Sequence, residues 1–217
     1  MKAQINWTIF VFPALSIFLL FVIEYLEHYL GLSFVKYGVL PRTAQGIKGI
    51  ICSPFIHSDW KHLTNNAIPL FVLLSALTFF YRSIANEVLL WSWLMSGLWL
   101  WAIGRESYHI GASGILYAIA SFLFFSGVIR RHSRLMAISL VVVFLYGGMI
   151  WGIFPMKSHI SWEGHLSGGF AGLILAYWFR KYGPPKQVYQ YEIDEQLEKE
   201  VLEFTYDYKE ENKSPKN

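Results

Sequence analysis

Six apolar segments, at roughly 7–29, 63–81, 84–103, 112–129, 135–154 and 164–180, come close to the length a helix needs to cross a bilayer. A chain built mostly of such runs has few options. Of the 217 residues 54% are hydrophobic, 18% aromatic and 15% charged, where a soluble domain carries nearer a quarter charged residues. The charges also cluster instead of spreading. Together these features predict an all-α polytopic membrane protein. Only Lys2 precedes the first run, and no small-residue cleavage site follows it, so that run reads as a retained spanning helix and not as a signal peptide. The single cysteine, Cys52, leaves no internal disulfide framework and no multi-cysteine metal site. A formal charge of +3, thinly spread, does not suggest nucleic acid.

Lysine and arginine near the helix ends set the orientation. With six spans both termini share one side, which holds Lys2, Arg82, Arg130, Arg131, Arg134, Arg180, Lys181 and Lys186. The other side holds Lys36, Arg42, Lys48, Lys61, Arg105 and Lys157. The bias favours cytoplasmic termini. The longest connection, about 31–61, mixes Gly31, Gly38, Pro41 and Pro54 with aromatic residues and reads as a folded, partly embedded loop. "GPP" at 183–185 ends the sixth helix, dividing a six-helix membrane domain (1–182) from a tail (183–217). Nine of the fifteen acidic residues lie in that tail. Ile193, Leu197, Val201, Phe204 and Tyr208 recur on one face of an acidic amphipathic helix there, and its charge argues against binding an anionic membrane surface. The short amino terminus, with no transit-like segment, suggests a prokaryotic inner membrane.

Three stretches put polar groups where a spanning helix should have none: "HSDWKHLTNN" (57–66), "GASGILY" (111–117) and "EGHLSGG" (163–169). Glu24, Glu27 and His28, which close the first helix, read as an interfacial cap. The three stretches open helices two, four and six, which all start on the side opposite the termini. At 1.5 Å per residue His62, Asn66, Ser113 and His165 share a depth of roughly one or two turns. Singly, each signal reads as helix packing, an interfacial histidine or an interhelical hydrogen bond. Together they offer a hydroxyl, an imidazole base, and amide and imidazole donors for an oxyanion, which are the parts of acyl transfer. No acid is well placed to orient His165: Glu163 precedes it by two and would point elsewhere on a helix. The expectation is therefore a Ser-His dyad.

The same residues resemble the rhomboid intramembrane serine proteases. That family combines Gly-x-Ser-Gly in the fourth helix, a histidine followed by spaced glycines in the sixth, and His-x-x-x-Asn in the second. Here these are Gly111-Ala112-Ser113-Gly114, His165 with Gly168 and Gly172, and His62 with Asn66. Tyr117 matches the family's tyrosine that stacks on the catalytic histidine, and His57 a histidine that helps hold the first loop. The resemblance spans about residues 7–180 and implies a six-transmembrane-helix rhomboid-like bundle with an embedded first loop, followed by a C-terminal amphipathic helix. It implies that Ser113 is the nucleophile and His165 the general base, and that the Ser113 N–H, His62 and Asn66 form the oxyanion hole. Gly111 and Gly114, with Gly168, Gly169 and Gly172 opposite, would bring helices four and six together.

The implied activity is that of a serine-type endopeptidase with no cofactor and no metal, a hydrolase of intramembrane proteolysis. Its partners would be transmembrane protein substrates in the bilayer, cleaved near the outer surface after a small residue. Ser161 and Glu163 would help line the water path. Substrate entry would involve about 135–162, where Gly147, Gly148 and Gly152 could ease bending or simply pack. Two family elements are missing. Lys48-Gly49 stands in place of Trp-Arg in the first loop, and Leu74, Thr78 and Arg82 replace Gly-x-x-x-Glu-x-x-x-Gly late in the second helix. The architecture of the loop is left open by these departures. A proteolytically inactive rhomboid-like module that binds membrane proteins is the alternative, and the retained Ser113 and His165 speak against it. A transporter usually shows duplicated halves, and none is visible.

Overall fold

In the computed structural model, residues 7–145, 151–156, 160–184 and 189–211 are described. The chain divides into two compact units, Met1–Pro184 and Pro185–Asn217. Helices in the first unit are α1 (Thr8–Tyr29), α2 (Ala44–Cys52), α3 (Trp60–Phe80), α4 (Ala85–Ile103), α5 (Ser113–Arg130), α6 (Ser133–Leu145) and α7 (Trp162–Trp178). Each of the predicted apolar segments holds one of these helices, the fifth (135–154) being α-helical to Leu145 among its described residues. Among the described residues, three helices, α1, α3 and α5, are long and apolar enough to cross a membrane. Gly147 and Gly148 of the proposed gate lie outside the described residues. Gly152 does not belong to the fifth apolar helix as expected; it sits in a 3₁₀ turn, Trp151–Ile153.

The bundle is organised around α5 and α7, which share the most extensive contact among the described elements. α4 packs on α7, α6 and α3 pack on α5, and α1 leans on α3 from outside. Within α5, Ile119, Phe122 and Leu123 are fully buried. By contrast α1 exposes Val11, Leu15 and Phe18, which suits a helix whose outer face meets lipid. The α5–α7 seam is set by two glycines. A Cβ at Gly168 would overlap the Gly114 carbonyl, and one at Gly172 the Ala118 carbonyl. Three other glycines expected at this seam do not shape it: a Cβ at Gly111 would meet the His62 ring instead of α7. Gly114 has room for a Cβ at ordinary contact distance, and Gly169 faces open space. Close packing thus depends on the α7 side: the backbone of α5 fills the space where α7 lacks side chains.

The long first loop is ordered by anchors other than the missing Trp-Arg pair. Thr43 caps α2, its hydroxyl accepting the Gly46 N–H at 3.0 Å. Two indoles of α4 hold the loop: Trp93 donates to the Ile50 carbonyl at 2.7 Å and Trp101 to the Thr43 carbonyl at 2.9 Å. Arg42 reaches past the end of α4 to the Gly104 carbonyl at 2.6 Å. The hydroxyl of Thr78, where the family carries glutamate, lies 3.0 Å from the Ile9 carbonyl of α1 and equally near the Leu74 and Ser75 carbonyls of its own helix, which share its single hydrogen. Removing the charged anchor should matter most. We expect Arg42→Ala to destabilise the loop by about 1.5–3 kcal/mol, and Trp101→Phe by about 1 kcal/mol. Limited proteolysis in detergent would read this as faster cutting within 31–59, and unchanged cutting in both variants would refute the anchoring role.

The second unit contains α8 (Gln190–Glu211). Ile193, Leu197, Val201 and Phe204 are exposed along it, and Lys199 pairs with Glu195 one turn earlier at 2.9 Å. The side chain of Tyr208, the last predicted member of that face, lies outside the described residues.

Candidate active site

Ser113 is the first residue of α5, so its N–H lies among the helix's opening amides, which have no intrahelical acceptor. The turn before it requires glycine. Gly111 has φ +105°, and a Cβ there would stand 2.9 Å from the His62 ring. The Gly111 N–H donates to the Ser53 carbonyl at 2.9 Å. The next amide, of Ala112, donates to His57 Nε2 at 3.4 Å. His57 is 2% exposed, and its ring meets that of His62 edge-on at 5.0 Å. The first loop therefore supports the serine from behind, and His57 is one of its props.

His165 lies in the first turn of α7. Its ring stacks on Tyr117 at a centroid distance of 4.2 Å and an interplanar angle of 10°. Nε2 is 2.9 Å from Ser113 Oγ, and Nδ1 is 2.9 Å from the Gly152 carbonyl. A carbonyl only accepts, so in the neutral ring Nδ1 carries the hydrogen and the Nε2 lone pair faces the serine hydroxyl. That is the tautomer a general base needs. Gly152 was not visible as a site residue in the sequence, because its contribution is a backbone oxygen. Its lack of a side chain is also used: a Cβ would overlap the Tyr117 hydroxyl and approach His165 Nδ1 to 2.9 Å. Glu163 is turned away from His165, with Oε1 3.7 Å from Arg105 Nε.

His62 and Asn66 lie on α3 beside this turn. Ser58 reaches His62 Nδ1 with its N–H at 3.4 Å and its hydroxyl at 3.2 Å; in the tautomer whose Nδ1 accepts the N–H, Nε2–H is a donor on the side where the ring meets Gly111. The Asn66 amide donates to the His62 carbonyl at 2.9 Å and has a second N–H to spare. Asp59 caps α3, its carboxylate accepting the His62 N–H at 2.8 Å. That hydrogen bond, with another from Ser58, holds the Asp59 pKa below the usual carboxylate value.

A cavity of about 30 Å³ lies next to Ser113, enough for about two waters. Ser53, Ser96, His109 and Ser161 contribute to its lining. Ser161 is thus placed as expected for a water path, while Glu163 is not among the described lining residues.

His57 lies outside the helices, and burial pushes its pKa down from 6.5 to about 3. It is neutral when folded, whereas the unfolded ring takes up a proton below about pH 6.5. Stability is therefore full above that pH and falls as pH drops toward 3. At pH 5 the loss from this one group amounts to about 2 kcal/mol. A melting series in detergent between pH 7 and 5 should be shallower for His57→Gln, whose amide oxygen can still accept from Ala112. Equal slopes would exclude His57 as the source.

The Rhomboid domain family matches residues 44–182, the stretch that contains every group just described. An uncharacterized protein of Mycobacterium tuberculosis is 35% identical over 181 residues, covering 78% of this chain and 73% of its own length. One from Mycobacterium bovis matches equally, and one from Mycobacterium leprae is 32% identical over 179 residues, 78% of this chain and 69% of its own. With the family's domain covering more than half of its length, this multi-pass integral membrane protein belongs to the rhomboid family.

Proposed function

We propose that the protein is an intramembrane serine endopeptidase that hydrolyses peptide bonds in or near the transmembrane segments of membrane proteins. The observation that carries this reading is the pairing of Ser113 Oγ with His165 Nε2 at 2.9 Å, in a ring whose other nitrogen is held by the Gly152 carbonyl. His165 removes the hydroxyl proton as Ser113 attacks the scissile carbonyl carbon. The oxyanion is met by the Ser113 N–H and by the free N–H groups of His62 and Asn66. His165 then gives its proton to the departing amine, leaving an acyl-enzyme. A water taken from the cavity beside Ser113 loses a proton to His165 and attacks the ester, and Ser113 is restored. Tyr117 holds the imidazole plane through this cycle. The carboxylate of soluble triads is replaced by a backbone carbonyl, which fixes the tautomer but adds little stabilisation of the imidazolium.

On this reading six helices span an inner membrane with both termini in the cytoplasm, and residues 183–217 form a cytosolic appendage. The site then opens toward the outer surface, where a substrate helix with a small residue before the cut can reach Ser113. The deciding experiment mixes purified protein with a single-pass substrate in detergent, beside Ser113→Ala and His165→Ala. Cleavage by the wild type alone supports the proposal. Equal cleavage by all three would trace the activity to a contaminant and remove its basis. A fluorophosphonate probe gives a second readout through labelling of Ser113.

A further inference from the structure

Two loops end at the reacting pair. Residues 104–112 lead into Ser113, and Ile160 and Ser161 lead into α7 and His165. Side chains that also line the cavity beside Ser113, but touch neither reacting group, join these loops. His109, a histidine in the loop before α5, is 3% exposed. Its backbone pairs with Val39 in both directions at 2.9 Å, which locks the loop against the first-loop segment. Its ring sits between two oxygens. Nε2 is 3.1 Å from the Arg105 carbonyl and Nδ1 is 2.6 Å from Ser161 Oγ. The carbonyl only accepts, so Nε2 donates to it and Nδ1 accepts the Ser161 hydroxyl. Burial lowers the His109 pKa, which favours the neutral ring that this pattern requires.

A second link runs parallel to the first. Arg105 donates to the Ile160 carbonyl at 2.5 Å, and its guanidinium also faces Glu163, which is 3% exposed. Ser161 passes the restraint on, because its carbonyl accepts the His165 N–H at 3.2 Å. The Gly168 and Gly172 contacts begin about a turn deeper than His165, so these links add to the Tyr117 stack and the Gly152 carbonyl in holding the first turn of α7. Helix ends fray when nothing holds them.

We infer that His109 and Ser161, backed by Arg105 and Glu163, are positioning residues that clasp the start of α7 to the loop before α5 and thereby set the distance between His165 and Ser113. The inference rests on the peptidase reading of that pair. A misplacement of about 1 Å in such a pair costs up to roughly 10²-fold in rate.

The test uses the purified full chain with a single-pass substrate in detergent, and compares Ser161→Ala, His109→Gln and His109→Asn. An asparagine oxygen stands near the place of Nδ1 and can accept from Ser161. A glutamine reaches the place of Nε2 and keeps only the Arg105 contact. Ser161→Ala and His109→Gln should lower kcat by about 10- to 100-fold with KM within about twofold. Fluorophosphonate labelling of Ser113 should fall in parallel, and His109→Asn should recover most of both. Three results would overturn the clasp: an unaffected kcat in Ser161→Ala, equal losses in the asparagine and glutamine variants, or losses of kcat that simply track losses of Tm. Wild-type cleavage that did not depend on Ser113 would count against the peptidase reading instead. The clasp would then be judged by melting of His109→Ala, Ser161→Ala and the double variant. Non-additive shifts support a direct contact, and additive shifts overturn it.

Discussion

Ser113→Ala should lower cleavage of a transmembrane substrate by about 10⁴-fold or more, and His165→Ala by a comparable factor. The size follows from the geometry. Ser113 Oγ is the hydroxyl within reach of the imidazole, and His165 Nε2, 2.9 Å away, is its proton acceptor. Without the serine no acyl-enzyme forms. Without the histidine the hydroxyl keeps its proton, and the leaving amine receives none. Because the two act as a unit, the double variant should be no worse than either single variant. The measurement is kcat/KM in detergent or liposomes with labelled substrate. Full additivity of the two losses would mean that the residues act independently, and the dyad would have to be abandoned.

The second large effect is one of packing. Gly168→Ala places a methyl group against the Gly114 carbonyl, and Gly172→Ala places one against the Ala118 carbonyl and the Phe122 amide. Neither obstacle is a flexible side chain, so α5 and α7 must separate. Overpacking of this kind costs about 1–3 kcal/mol, and separation also draws His165 away from Ser113. We expect melting to fall by several degrees and cleavage by at least about 100-fold for Gly168→Ala, which lies a turn from His165. Gly169→Ala is the control. It faces open space and should be close to neutral in both measurements. Melting curves and rates for all three variants decide the matter. Equal tolerance of alanine at 168 and 169 would show that the seam is not set by glycine.

Much of this protein was legible in the chain itself. The apolar runs mark the helices, because helix length and hydropathy are local properties. His62, Ser113 and His165 could be picked out, since a titratable or nucleophilic side chain inside an apolar helix has few structural uses, whereas Tyr117 came only with the family resemblance. The parts that escaped share a cause. Gly152 and Ser53 act through backbone carbonyls, which every residue possesses, so no residue type advertises them. Trp93 and Trp101 read as membrane aromatics, yet their indole N–H groups anchor the first loop. His109 reads as a surface loop residue, because nothing within ten positions hints that Val39 and Ser161 will enclose it. Gly114 and Gly168 looked alike in the chain, and only the direction of their missing Cβ atoms tells them apart.

The sequence by itself determined that the chain enters a membrane as helices, and which side chains are available for chemistry, because these follow from local apolar length and covalent identity. The tertiary structure alone decided the 2.9 Å approach of Ser113 to His165, the tautomer imposed by Gly152, and the links from Arg105 and His109 to the start of α7. Each of those joins residues far apart along the chain. Their meeting is fixed by how α5, α7 and the loops pack, and no local stretch of sequence contains that information.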